Sequence, residues 1–282
     1  MIAFLGTGLL GSGFVQALLK QNHKVNVWNR SADKAKALEQ YGATAFEQAA
    51  DAVTGISRIH LCLMDDAAVD AVLDAALPGL QAGALIIDHT TTSVEGAVAR
   101  TEKWKSLGYT YVHAPVFMGP SNAVDCTGYM LISGNRDAVN TVSPLLTPMT
   151  GQLIDLGEET GKAAGMKLVG NCFLVGFSAA ISDMLMLGKS LNITPAEIAG
   201  LFQNWNPGAA LVPRMKRIAA ADYDNPSWNL GMARKDTNLF VQAAAKAGNE
   251  MLIIPHVLKA MDALLQQGHA HNDWTIIGKD AV

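Results

Sequence analysis

Residues 1–20 read MIAFLGTGLLGSGFVQALLK. A short apolar run (1–5) leads into Gly6-Thr7-Gly8-Leu9-Leu10-Gly11. Phe14, Val15, Leu18 and Leu19 then follow at helical spacing. A G-x-G-x-x-G run between a strand and a helix makes a tight turn. It brings the unpaired amides and the positive end of the helix dipole up to an anion such as a pyrophosphate. The stretch predicts the first unit of a dinucleotide-binding sheet, with Gly6, Thr7, Gly8, Leu9, Leu10 and Gly11 holding the cofactor.

The pattern continues outward. KVNVW (24–28) alternates as a second strand, and its tip is Asn29-Arg30-Ser31. An acid at that position would bind a ribose 2′-hydroxyl; these three residues suit a 2′-phosphate instead, with Arg30 adding charge. NADP(H) is therefore expected in preference to NAD(H). Further strands are predicted over 58–63 (RIHLCL), 84–88 (ALIID), 109–114 (YTYVHA) and 129–133 (YMLIS), with helices over 32–41, 66–77 and 94–107 between them. Regular alternation of this kind predicts an α/β fold, a doubly wound Rossmann sheet with helices on both faces. Leu63 and Met64, at the tip of the 58–63 strand, join the candidate cofactor residues.

Past residue 160 the alternation stops, long helical patterns take over and basic residues outnumber acidic ones. The expected domains are 1–158, binding NADP, and 159–282, all-helical, for substrate and subunit contact. Thr194-Pro195-Ala196-Glu197 reads as a helix start with a capping box, and Asp65-Asp66 as a helix cap.

The chain has 282 residues, of which 50% are hydrophobic and 16% charged, with a formal net charge of -4. That composition excludes a disordered chain and argues against a nucleic-acid partner, which calls for a basic face. Cys62, Cys126 and Cys172 lie far apart without CxxC spacing, so no disulfide framework and no metal site are expected, and a reducing, cytoplasmic location fits. The apolar stretch 168–188 approaches the length of a membrane span, but Asn171 and Asp183 lie within it. A helix enclosed between protein layers, with no membrane partner, is the expectation. Its apolar surface exceeds what one small helical domain covers, which points to a homodimer or homotetramer.

The segment 161–171, GKAAGMKLVGN, carries the chemistry. Lys167 and Asn171 are four apart on one helix face, and the glycines let another group approach closely. Desolvation at the head of an apolar helix would lower the pKa of Lys167 and suit it to proton transfer. Of the histidines, His60 and His113 read as structural, and His89 is left open between the two roles. His256, His269 and His271 have no metal-ligand pairing.

Together these segments resemble the β-hydroxyacid dehydrogenase family, related to 6-phosphogluconate dehydrogenase. FLGTGLLGSGF is similar to its dinucleotide fingerprint, LIIDHTTTS to its "DxST" segment, HAPVFMGP to its "DAPVSGG" substrate loop and GKAAGMKLVGN to its "GxGxxxKxxxN" catalytic helix. ARKDTNL and HNDWTII resemble its later "KDxxL" and "DxSA" segments. The resemblance implies an NADP-dependent oxidoreductase interconverting a small β-hydroxy acid and its semialdehyde. Lys167 is then the acid/base and Asn171 its orienting, substrate-binding partner. Thr90, Phe117, Met118, Gly119 and Asp236 lie against substrate, and Thr91 and Lys235 against cofactor, in a cleft between the domains. Phe117 and Met118 stand where the family has serine and glycine, and His113 where it has aspartate. Two readings follow for the substrate's acid group: it is held otherwise, as by the Gly119 backbone and Ser121, or the substrate differs. Two further readings are an imine reductase, against which Lys167 argues, and a non-catalytic NADPH-binding interaction protein.

Overall fold

In the computed structural model, which describes residues 1–282, the N-terminal apolar run is a strand, β1 (Ile2–Leu5), and the glycine turn opens α1 (Leu9–Lys20). The alternation continues through β2 (Val25–Trp28), α2 (Ala32–Lys36), β3 (Thr44–Phe46), α3 (Ala49–Val53), β4 (Arg58–Leu61), α4 (Asp66–Ala76), β5 (Leu85–Asp88), α5 (Val94–Ser106) and β6 (Thr110–His113). These six strands form one parallel sheet in the order β3-β2-β1-β4-β5-β6. Both faces are covered, so successive residues of β1 are all buried: Ile2 and Phe4 join one core cluster, Ala3 and Leu5 the other. This is why the central strands read as continuous apolar runs. The order reverses between β1 and β4, and the crevice at their carboxyl ends is where such sheets hold ligands.

The segment after β6 forms a second, three-stranded sheet. It comprises β7 (Val116–Phe117), β8 (Tyr129–Ile132) and β9 (Gln152–Asp155), with α6 (Pro120–Asp125) and α7 (Arg136–Leu146) between them. β7 is antiparallel to β8, and β8 parallel to β9. β3, β7 and β9 have no counterpart in the sequence reading: β3 and β7 are only three and two residues long, and β9 is exposed at both ends, Gln152 and Asp155.

Contacts divide the chain into two compact units, Met1–Asn171 and Cys172–Val282. α8 (Lys162–Ser190) begins shortly after the change in composition and runs from one unit into the other. The second unit continues with α9 (Pro195–Asn204), α10 (Leu211–Ala219), α11 (Leu230–Lys246) and α12 (Ile254–Gln266). The predicted capping box starts α9: Thr194 accepts from the Glu197 amide while Glu197 accepts from the Thr194 amide. Asp65 caps α4 as expected. The second unit's core is small, built on Tyr223, Leu230, Ala233, Met261, Leu264 and Ile276. Two buried carboxylates tie its loops. Asp183, inside α8, accepts from the amides of Leu252, Ile253 and Ile254 at the start of α12. Asp273 accepts from Ser227, Thr275 and Arg217.

α8 is long and apolar enough to cross a membrane, by length and composition. The expectation that it is enclosed is not met within one chain. Val175 is 72% exposed and Phe177 53%, and Val169, Phe173 and Leu174 are exposed as well. The core available to one chain is too small to cover both sides of a helix that is apolar nearly all round.

Candidate active site

The glycine turn is held by contacts that admit no side chain. Gly6 has φ +99°, and a Cβ there would run into the Cys62 carbonyl; a Cβ on Gly11 would run into the Gly6 carbonyl. Gly8, the first residue before α1, has open space where its side chain would be, and α1 has no side-chain cap. The free amides of α1 thus face a crevice, and a ligand can approach Gly8 closely.

That crevice is a cavity of about 500 Å³. Gly6, Gly8, Leu9, Leu10 and Gly11 form one wall, and Asn29, Arg30 and Ser31 the end at the tip of β2. Leu63, Met64, Thr90 and Thr91 line the opposite side. Eleven of the residues expected to touch cofactor therefore share one pocket, and Thr90 joins them. Thr7 lies behind the wall, buried, its amide donating to Asn29 Oδ1 at 3.0 Å. Asn29 also donates to the Ser31 carbonyl, so its amide stitches the glycine turn to β2. Lys34 and Trp28 line the same end and were not foreseen from sequence. Lys34 sits three residues past Ser31, the cap of α2, and that spacing was the available signal.

His89 also lines the pocket. Arg58 Nε donates to His60 Nε2 at 2.8 Å; His60 Nδ1 therefore carries the proton and donates to His89 Nε2 at 2.8 Å. His89 Nδ1 in turn donates to the Ala114 carbonyl at 2.8 Å. Because an arginine only donates, the direction of the whole chain follows. Burial holds His60 well below the ordinary histidine range, with the neighbouring His89 and Arg58 acting the same way. Burial likewise depresses His89 to about 4. Both rings stay neutral, so His89 is a polarised strut under the pocket rather than an acid or base. Burial pushes the neighbouring Cys62 thiol up to about 12, leaving it inert.

At the end of β5, Asp88 accepts from the Thr90 amide and from the Tyr111 hydroxyl, fixing the segment that carries Thr90 and Thr91. The Thr90 hydroxyl accepts from the Leu63 amide at 2.9 Å, locking β5 to the loop after β4.

The second constellation is on the first turns of α8. Lys167 Nζ donates to Asn171 Oδ1 at 2.9 Å and lies over the Phe117 ring, 4.4 Å from its centroid. Burial lowers the Lys167 pKa. The close approach that the glycines permit is now identified. Gly161 and Gly165 sit against Val94 of α5, while at Gly170 a Cβ would run into the Phe117 ring. Phe117 is thus seated on α8 in the gap left by Gly170. Met118 packs on the first core cluster and against Gly128. The Gly119 amide donates to Asn122 Oδ1 at 2.8 Å, closing the first turn of α6, and Ser121 is exposed. The Gly119 amide is therefore engaged and does not point a free donor at a substrate. Lys235 and Asp236 belong to the second unit, on α11, where Lys235 Nζ pairs with Asp236 at 2.9 Å.

A Rossmann sheet with an open glycine turn, together with the relatives below, defines a dinucleotide-dependent dehydrogenase or reductase. Residues 1–157 match the family described as the NAD binding domain of 6-phosphogluconate dehydrogenase, and the chain belongs to that family, within the β-hydroxyacid dehydrogenases. An uncharacterized oxidoreductase of Shewanella frigidimarina is 25% identical over 259 residues, covering 89% of this chain and 87% of its own. The chloroplastic glyoxylate/succinic semialdehyde reductase 2 of Arabidopsis thaliana is 28% identical over 198 residues, 69% of this chain and 55% of its own. Among solved structures, an imine reductase from Myxococcus stipitatus in complex with NADP+ superposes with a TM-score of 0.92. It is 18% identical and both chains are covered in full. At that identity the likeness speaks for the fold.

Proposed function

We propose that the protein is an NADP-preferring carbonyl reductase that interconverts an aldehyde and the corresponding alcohol, with Lys167 as the proton donor and acceptor. The observation that carries this reading is the Lys167–Asn171 pair: a largely buried ammonium, held by one hydrogen bond, with its pKa lowered by burial. The pocket beside Gly8 fits a dinucleotide, with the amides of α1 for its pyrophosphate and Arg30, Ser31 and Lys34 for a 2′-phosphate. When bound, that cofactor supplies the hydride for the carbonyl carbon. Lys167 gives its proton to the oxygen as negative charge develops there, and its positive charge stabilises that oxygen. Asn171 keeps the Nζ in place through Oδ1 and has its Nδ2 group left to donate to the same oxygen. In the oxidative direction Lys167 takes the proton back. Family membership makes a β-hydroxy acid and its semialdehyde the first substrates to test.

An imine is the weaker reading, on electrostatic grounds. Hydride addition to C=N proceeds best on the protonated, cationic imine, and an ammonium beside it is a like charge.

Lys167→Ala is expected to lower aldehyde turnover by about 10²–10⁴-fold while NADPH binding, followed by its fluorescence, stays near wild type. Unchanged turnover overturns the reading. Arg30→Ala is expected to weaken NADPH about 10–100-fold with little effect on NADH. Equal losses for the two cofactors would remove the NADP preference.

The exposed apolar side of α8 supports a second copy of this chain as its cover, in a homodimer or homotetramer. Sedimentation of the purified protein as a monomer at micromolar concentration would refute that assembly.

A further inference from the structure

The proton donor of the proposed reaction has an unusual neighbour. An ammonium has three N–H groups. At Lys167 one is spent on Asn171 Oδ1, and the Nζ lies over the face of the Phe117 ring. That leaves room for one strong acceptor, the substrate oxygen. The ring is no accidental contact. Phe117 is held in β7, opposite Tyr129 of β8, and fills the space that any side chain at residue 170 would need. Next along the chain, the Gly119 amide is committed to Asn122, and the partly buried Met118 side chain, packed on the core, carries no N–H or O–H to donate. A carboxylate on this side of Lys167 meets the Phe117 ring, which offers no hydrogen bond, and with Lys167 and Asn171 engaged by the reacting oxygen it loses its hydration with no further donor in return.

We propose that Phe117, seated on Gly170, sets the substrate class of this site: it admits uncharged aldehydes bearing an apolar substituent and turns away those carrying a carboxylate. The inference rests on the carbonyl-reductase reading of Lys167 and narrows it. The redox balance is that of the proposed reaction. Hydride forms the new C–H bond, the C=O π pair moves to oxygen, that oxygen takes the Lys167 proton, and the oxidised dinucleotide and a neutral alcohol leave.

The test compares matched pairs with NADPH: butanal against 4-oxobutanoate, and acetaldehyde against glyoxylate. Each pair differs by a methyl for a carboxylate, at two distances from the carbonyl. The wild-type protein is expected to show at least a tenfold higher kcat/KM for the neutral member of each pair. Phe117→Ser should cut that ratio tenfold or more, through a lower KM for the acid, and Phe117→Leu should keep it. A second readout needs no turnover. Calorimetric titration with butyrate should detect binding to Phe117→Ser, with wild type binding at least tenfold more weakly. A wild-type preference for the acid in either pair, or a ratio and a butyrate affinity that Phe117→Ser leaves unmoved, overturns the inference. The two levels separate cleanly. If Lys167→Ala abolishes turnover while the ratio ignores residue 117, only this inference falls. If Lys167→Ala changes nothing, or wild type reduces none of the four compounds, the carbonyl reading falls and takes the inference with it.

Discussion

The two units of this chain solve the problem of burying apolar surface in different ways. Met1–Asn171 encloses two large clusters, one on each face of a six-stranded sheet, and there Phe4, Phe14, Leu61, Leu73 and Trp104 are fully shielded. Cys172–Val282 encloses one small cluster and leaves Val175, Phe177, Leu201, Trp205, Val212 and Met215 exposed. A parallel sheet is apolar on both faces, and its own connecting helices cover them within one chain. A few helices around a small core have no such economy. The first unit thus buries its apolar surface within one molecule, whereas the second leaves much of its own uncovered.

Four measurements test that contrast. The largest effect is expected from Phe14→Ala in the first unit: a fully buried ring lost from a closed core costs about 3–5 kcal/mol, read as a drop in unfolding free energy. Acid should come next. Burial keeps His89 neutral in the folded chain down to about 4, whereas an unfolded histidine takes up its proton near 6.5. Between those values the unfolded chain binds more protons, so this stability is intact above pH 6.5 and is lost as pH falls toward 4, by about 3 kcal/mol. His89→Gln should flatten that slope, and an unaltered slope would dismiss the strut. Third, Asp183→Ala strips the acceptor from three amides at the start of α12. Burial raises the Asp183 pKa, but those three donors outweigh it and hold the carboxylate below its usual range. The loss should be about 2 kcal/mol, confined to the second unit and visible as faster amide exchange at Leu252, Ile253 and Ile254. The smallest intramolecular effect belongs to Phe177→Ala, less than about 1 kcal/mol for an exposed ring. Its consequence should appear in association instead, as a larger share of monomer at a given micromolar concentration. A Phe177→Ala cost as large as that of Phe14→Ala would erase the distinction between the two units.

Much of the first unit is legible without coordinates because its signals are local. The glycine spacing from Gly6 to Gly11 is set by contacts within a few residues of chain and with the next strand, and the tip at Asn29 to Ser31 follows from counting along β2. Thr194–Glu197 and Asp65 announce their caps from a four-residue window. The Lys167–Asn171 pair is legible for the same reason, one turn of helix. Weakly patterned pieces escape: β3 and β7 have three and two residues, β9 has exposed polar ends, and only their neighbours in the sheet make them strands. Lys34 escapes because its place in the pocket depends on how α2 leaves β2.

The role of Phe117 shows where linear reading ends. As a residue in HAPVFMGP it is an apolar substitution with two readings open. Its meaning comes from Gly170, 53 positions later, whose missing side chain receives the ring, and from the ammonium one turn before that glycine. The Gly119 amide is a free donor on paper and an engaged one in space, because Asn122 turns back onto it. Residue order alone settles the class of fold, the place of the glycine turn and the helical face that carries the lysine, since each is a matter of period and nearest neighbours. Packing decides which donors remain unspent, which rings lie against which charges and how much of α8 stays uncovered, since those depend on residues that chain folding brings together from far apart.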